Sequence, residues 1–148
     1  MYWLLVLIVL PITFAIISLI SRGQTPPGIV DGQLAKCPTS PNCVCSERDS
    51  EKGYIEPITY TGDSDQAWSA FRQAIESTGG TVEKDEDGYL WASYRSLIFR
   101  FIDDVECRLD TDTNTIHIRS AARSGYSDFG VNRKRVEQIR SEYQQRIK

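Results

Sequence analysis

FRFIDDVECRLDTDTNTIHIRSAA, residues 99–122, is the stretch on which the fold turns. Two runs of alternating apolar and polar residues, 99–110 and 115–122, flank a Thr113-Asn114 turn, the pattern of an antiparallel strand pair. Alternation puts Phe99, Phe101, Asp103, Val105, Cys107 and Leu109 on one face, and Arg100, Ile102, Asp104, Glu106, Arg108 and Asp110 on the other. Asp103 thereby interrupts an apolar face. A buried carboxylate needs a cation or backbone donors, and Arg119, Arg123 and Arg133 are the candidate cations. A bulge between Asp103 and Asp104 would instead put both acids on the loop side.

Downstream, a polar loop leads into a helix. From Asn132, read as its N-cap, Val136, Ile139, Tyr143 and Ile147 recur at i, i+3, i+7 and i+11, one stripe facing a sheet. The helix opens on Arg133, Lys134 and Arg135, and cations in a first turn oppose the helix dipole by about 0.3–1 kcal/mol each. Acidic side chains or an anionic ligand must offset them. Arg119, Arg123, Ser124, Ser127, Arg133 and Arg135, with backbone N–H groups around Gly125 and Gly130, form the candidate anion site, together with Asp128 and Asn132; Asp103 and Asp104 are its acidic partners.

Upstream, further strands are expected over 54–60, 81–84 and 89–96, the last two separated by Asp-Glu-Asp-Gly at 85–88. A helix starts near Asp63 or Ser64, where Asp63 and Gln66 resemble a capping box, presents Ala67, Trp68, Phe71, Ala74 and Ile75, and stops at Gly79-Gly80. The order is strand, helix, antiparallel meander, helix. It predicts an α+β domain: an antiparallel sheet of about four to five strands with two helices on one face.

The 148-residue chain is too short for two ordinary domains once its start is set aside. Residues 2–20, YWLLVLIVLPITFAIISLI, carry no charge and as a helix would reach about 28 Å, so they are expected to form one N-terminal transmembrane helix, uncleaved for want of a basic n-region and an Ala-x-Ala site. Residues 21–36, with Pro26-Pro27-Gly28, read as a linker, and 37–148 as the single domain.

Two signals oppose each other on orientation. Arg22 and Lys36 follow the span and no Lys or Arg precedes it, which favours a cytoplasmic domain. Four cysteines argue for export, and Cys37 and Cys43 enclose a tight Pro-Thr-Ser-Pro-Asn turn that a disulfide would staple. Two cations weigh less than four cysteines, so a periplasmic or luminal domain is expected.

Between residues 22 and 114 nine Lys or Arg face seventeen Asp or Glu, and between 115 and 148 eight face three. These charges of about −8 and +5 suggest that the two parts complement each other. An acidic chain without a dominant basic patch argues against nucleic acid as a partner.

Three separated motifs carry a resemblance. Cys-Pro-x-Ser-Pro-Asn-Cys-Val at 37–44, Phe-x-Asp-Asp-Val-Glu at 101–106 and Ile-Arg-Ser-Ala-x-Arg-Ser-Gly-x-Ser-Asp-x-Gly-x-Asn-Arg-x-Arg at 118–135 resemble the domain-of-unknown-function family number 1499 over residues 37–148. The resemblance implies a small, often membrane-anchored or exported bacterial or plastid domain with no established activity. Where it leads one to expect a serine and an aromatic residue, this chain has Cys45 and Cys107. Two extra cysteines suggest a second disulfide, Cys45–Cys107, beside Cys37–Cys43.

The spacing Cys-x5-Cys-x-Cys with one remote Cys fits a zinc site poorly, and nothing near 43–45 activates a thiol, so neither a metal nor a redox centre is expected. His117, the sole histidine, sits mid-strand between Ile116 and Ile118, as a solvent-facing strand histidine would. No cofactor is implied. The leading expectation is a membrane-tethered, non-enzymatic binding module for an anionic small molecule or lipid headgroup. A partner-docking subunit of an envelope complex comes second, and an enzyme with Asp103 or Asp104 as general base third.

Overall fold

The computed structural model describes residues 23–47, 53–96 and 101–148, with positions 9, 11–13, 16, 19 and 21 before them. The expected membrane helix over 2–20 falls mostly outside the described residues, among which no helix is long and apolar enough to cross a membrane. Positions 9, 11–13, 16, 19 and 21 are helical, with Val9, Ile12, Ile16 and Leu19 exposed.

The architecture is α+β. Strands β1 (Ile29–Val30) and β2 (Gln33–Leu34) form a small hairpin. A six-stranded antiparallel sheet follows the order β3 (Cys43–Cys45), β8 (Thr115–Ala122), β7 (Ile102–Asp110), β6 (Tyr89–Arg95), β5 (Thr81–Glu86), and β4 (Ile58–Thr59) shares the β8 edge with β3. Helices α1 (Ser64–Ser77) and α2 (Val131–Arg146) cover one face. The sheet exceeds the expected four to five strands by β3, three residues long and too brief to show a period, while the strand expected over 54–60 shortens to Ile58–Thr59, with Tyr54 in an isolated bridge to Cys45.

Pairing of β7 with β8 is regular from Asp103↔Ala122 to Asp110↔Thr115, so no bulge separates Asp103 from Asp104. The irregularity lies in β5 instead, between Val82 and Lys84. Val105 and Cys107 point to the helices, where with Leu90, Ile116, Ile118, Phe71, Ile75, Val136, Ile139 and Tyr143 they make the core. Asp63 caps α1 through its carboxylate, which accepts from Gln66 N at 2.9 Å. The helix ends at Thr78 and Gly79, and Gly80 is required because a Cβ there would lie 2.7 Å from Ile75 Cγ2 and 2.9 Å from the Tyr94 ring. Ile147 leaves the predicted stripe: it follows the last turn of α2 and is exposed.

Ser21 and residues 23–36 do not hang free of the domain. Leu34 and Ser21 are wholly buried, and the segment crosses the sheet face opposite the helices. Gly28 N donates to Glu106 Oε1 at 2.8 Å and Leu34 N to Glu47 Oε2 at 2.6 Å, so two buried acids, Glu106 on β7 and Glu47 just past β3, serve as acceptors for this strap. Sequence alternation puts Asp104, Glu106, Arg108 and Asp110 on this face, and the strap is what buries it.

Cys37 and Cys43 form a disulfide. Cys45 and Cys107 do not; both are buried free thiols. Cys45 lies opposite Arg119 and Cys107 opposite Ile118, so the whole of β8 stands between them. Two strand spacings amount to about 9–10 Å, beyond the roughly 7 Å a disulfide spans between Cα atoms. Their side chains also take opposite faces, Cys107 in the helix-side core and Cys45 beside Arg119 under the strap. Burial pushes both thiols up, Cys107 well above the ordinary value.

Candidate functional site

Three arginines and three acids of β7 and its surroundings pair one to one. Arg119 Nη1 donates to Glu106 Oε2 at 2.7 Å. Arg123 grips Asp104 with two bonds, Nε to Oδ2 at 2.8 Å and Nη2 to Oδ1 at 2.7 Å. Arg135 Nη2 donates to Asp103 Oδ2 at 2.6 Å, across the opposite, helix-side face. Asp103 thus meets a cation, as a carboxylate on an apolar face must, but that cation is Arg135, not Arg119, Arg123 or Arg133. Arg133 instead donates to the Tyr54 carbonyl at 2.7 Å.

Each pair is further braced. Trp91 Nε1 donates to Asp104 at 2.7 Å, and its ring lies 5.8 Å from the Arg123 guanidinium carbon. Tyr89 Oη donates to Glu106 at 2.9 Å. The Arg135 guanidinium sits 4.7 Å over the Tyr94 ring, a favourable cation–aromatic contact. Burial holds the Asp103 and Glu106 carboxyls above their ordinary values, although Arg135 and Arg119 pull them down, and the same burial raises the Tyr89 phenol. Desolvation outweighs pairing here, the usual balance for a buried ion pair.

Farther along the strap face Arg108 binds Glu47 and Asp110. His117 is not solvent-facing: 17% of its side chain is exposed, it lies 3.4 Å from Ser46 Oγ, and burial keeps it neutral to lower pH than usual.

Loop 123–130 is built on a polar hub. Asn132 is not the N-cap. The helix begins at Val131 after Gly130 in a left-handed conformation, and Asn132 turns inward and is fully buried. Its side chain accepts from Ser120 Oγ and Arg135 Nη1 and donates to the Asn42 carbonyl at 3.0 Å and Asp128 Oδ2 at 2.7 Å. Asp128 does the capping, accepting from Gly130 N at 3.0 Å and Asn132 N at 2.8 Å. Ser127 Oγ accepts from Phe129 N, and Asn42, from the disulfide turn, donates to the Gly125 carbonyl at 2.6 Å. Ser124 is half-buried.

Of the candidate anion-site residues, Arg119, Arg123 and Arg135 are turned toward internal acids, while Arg133 reaches the Tyr54 carbonyl. Arg119 and Arg123 lie on the strap face, Arg135, Asn132 and Asp128 at the base of the loop. The large side chains exposed here are apolar or aromatic: Phe129 is 96% exposed and Tyr126 76%, with Val131, the first residue of α2, 48% exposed beside them.

Glu47, Glu106, Tyr89, Trp91 and Asn42 were not among the expected site residues. Glu106 shares the face of Asp104, and Asn42 lies inside the Cys37–Cys43 turn, so alternation and the turn were the available signals. Among the described residues no three His, Cys, Asp or Glu come together to hold a metal ion. A cleft of about 760 Å³ lies open between the helices, lined by residues such as Asp65, Ser69, Ala70 and Arg146, away from the paired arginines.

An antiparallel sheet backed by two helices, its opposite face carrying buried ion pairs under an N-terminal strap, defines a small α+β domain with no recognisable catalytic constellation among the described residues. Residues 33–143 match the family described as Protein of unknown function (DUF1499), and the chain belongs to that family. It matches no curated protein and no solved structure.

Proposed function

We propose that this chain is a membrane-tethered, non-enzymatic docking module whose docking element is the loop between β8 and α2. One contrast carries the reading: the Arg123 side chain is only 6% exposed and fully engaged, while Phe129, six residues on, is 96% exposed. Cations already held by Asp103, Asp104 and Glu106 are poor receivers of an external anion. An acid gripped as Asp104 is, by Arg123 and Trp91, is a poor general base, since catalysis needs an oxygen free to accept a substrate proton. The tether is the uncharged run 2–20, whose described positions Val9, Ile12, Ile16 and Leu19 are exposed.

Thermal unfolding of the wild type, Arg123→Ala and Phe129→Ala, each with and without inorganic phosphate, tests this. Loss of Arg123 should cost about 3–5 kcal/mol by stranding Asp104, whereas loss of Phe129 should stay within about 0.5 kcal/mol, and phosphate should shift neither. A phosphate-induced rise that disappears in Arg133→Ala would replace this reading with an anion-binding site.

A further inference from the structure

We infer that the loop between β8 and α2 is a membrane-contacting finger, with Tyr126, Phe129 and Val131 entering the interface of the bilayer that holds residues 2–20; this rests on the tether proposed above. The apolar tip is held in place by design of its base. Phe129 adopts φ 53°, a left-handed conformation that a bulky non-glycine residue rarely takes, and it does so at almost complete exposure. No packing of the Phe129 ring compensates that strain. The bonds from Asp128 to Gly130 N and Asn132 N, and from Asn42 to the Gly125 carbonyl, impose it. A backbone so constrained to present an aromatic ring to its surroundings points to an occupant outside the domain.

The position of the loop names the occupant. Arg123, where the loop starts, donates through Nη1 to the Ser21 carbonyl at 2.8 Å, and Ser21 directly follows the uncharged run. Phe129 lies six residues beyond Arg123, at most about 20 Å of fully extended chain, and the Arg123 side chain spans the rest of the way to Ser21. The chemistry of the surrounding residues agrees. Exposed Arg133 and Lys134 follow the aromatic tip, and amphipathic aromatic rings beside basic side chains are what the headgroup region of an anionic bilayer accepts. Lipid phosphates near the first turn of α2 would also offset the opposition between those cations and the helix dipole.

The full chain, reconstituted into vesicles of phosphatidylcholine and phosphatidylglycerol, is spin-labelled in turn at Ile12→Cys, Phe129→Cys, Tyr126→Cys and Gln138→Cys; buried Cys45 and Cys107 stay unlabelled. Collision rates with oxygen and with a water-soluble nickel chelate report depth. Labels at 129 and 126 should favour oxygen and lie about 5–10 Å below the phosphates, the label at 12 deeper, and that at 138, on an exposed position of α2, in water. If 12 is in the bilayer while 129 and 126 are as aqueous as 138, the finger is refuted and the loop is left to a protein partner. An aqueous label at 12 refutes the tether itself, and the finger with it.

Discussion

Replacing Arg119 with Met probes whether the strap face is held by ion pairs at a cost in desolvation. The Glu106 side chain is 0% exposed and that of Arg119 7%, so the substitution strands a carboxylate that keeps only Tyr89 and Gly28 N as donors. Breaking a buried pair on one side costs about 3–5 kcal/mol. In a domain the size of residues 37–148, each kcal/mol moves the midpoint by about 4 °C, so a fall of about 12–20 °C is expected near neutral pH. The pH dependence carries the mechanism. Burial already raises the Glu106 carboxyl above its unfolded value, and removing the neighbouring cation raises it further. A group whose folded pKa is raised contributes its stability below the unfolded value and loses it as pH climbs through the folded value. The deficit of the variant relative to wild type should therefore be largest at about pH 8 and shrink toward about pH 5. Adding Glu106→Gln removes the stranded charge while its Oε1 still accepts from Tyr89 and Gly28, and should recover most of the loss. Urea unfolding at both pH values, on wild type, single and double variants, supplies the numbers. A deficit independent of pH, or one below about 1 kcal/mol, would mean the pair is solvated and the buried-layer reasoning is wrong.

Two further outcomes are expected. A colorimetric thiol reagent should find no rapidly reacting cysteine in the native chain and two per chain after denaturation without reductant, because Cys45 and Cys107 are buried and unpaired; finding none after denaturation would restore the cross-strand bond. Asp128→Ala removes the acceptor for Gly130 N, Asn132 N and Asn132 Nδ2, so stability should drop by about 1–2 kcal/mol and amide exchange over 129–132 should quicken; unchanged exchange would show that Asp128 does not order the loop.

What was legible in the sequence was whatever repeats at a short period or closes over a short distance. Alternation in 102–110 and 115–122 gave the strand pair, its faces and the anomaly at Asp103, while Phe99 and Arg100, expected at the start of that strand, lie outside the described residues. Helical spacing gave Phe71, Ile75, Val136, Ile139 and Tyr143, all of them core. The five-residue Cys37–Cys43 turn announced its own disulfide. The misreadings lie where the answer is tertiary. Arg135 rather than Arg119 meets Asp103 because α2 packs over that end of the sheet, which no local pattern encodes. The Cys45–Cys107 bond rested on two cysteines standing where the family resemblance implies other residues, and strand order with face parity forbids it. Asn132, with the side chain of a good cap, is taken instead by Ser120, Asn42 and Arg135, while left-handed Gly130 starts the helix two residues earlier. The strap escaped notice because a hairpin of two-residue strands has no period to read.

The unequal charges of the two parts of the chain acquire a physical meaning from these contacts. Asp103, Asp104 and Glu106 belong to the acidic part, and their partners Arg135, Arg123 and Arg119 to the basic one. Much of the complementarity is therefore consumed inside the domain. An apolar layer could have covered the sheet with less desolvation, but apolar contacts are non-directional and would let the strap slide. Acids that accept from Gly28 N and Leu34 N, and an arginine that donates to the Ser21 carbonyl, pin it at three points. Pinning sets where the uncharged run leaves the domain relative to the loop that Arg123 begins. A fixed relation lets a finger and an anchor meet one bilayer surface without the further cost of ordering a flexible joint, and that is what the buried ion pairs would contribute to the proposed membrane contact.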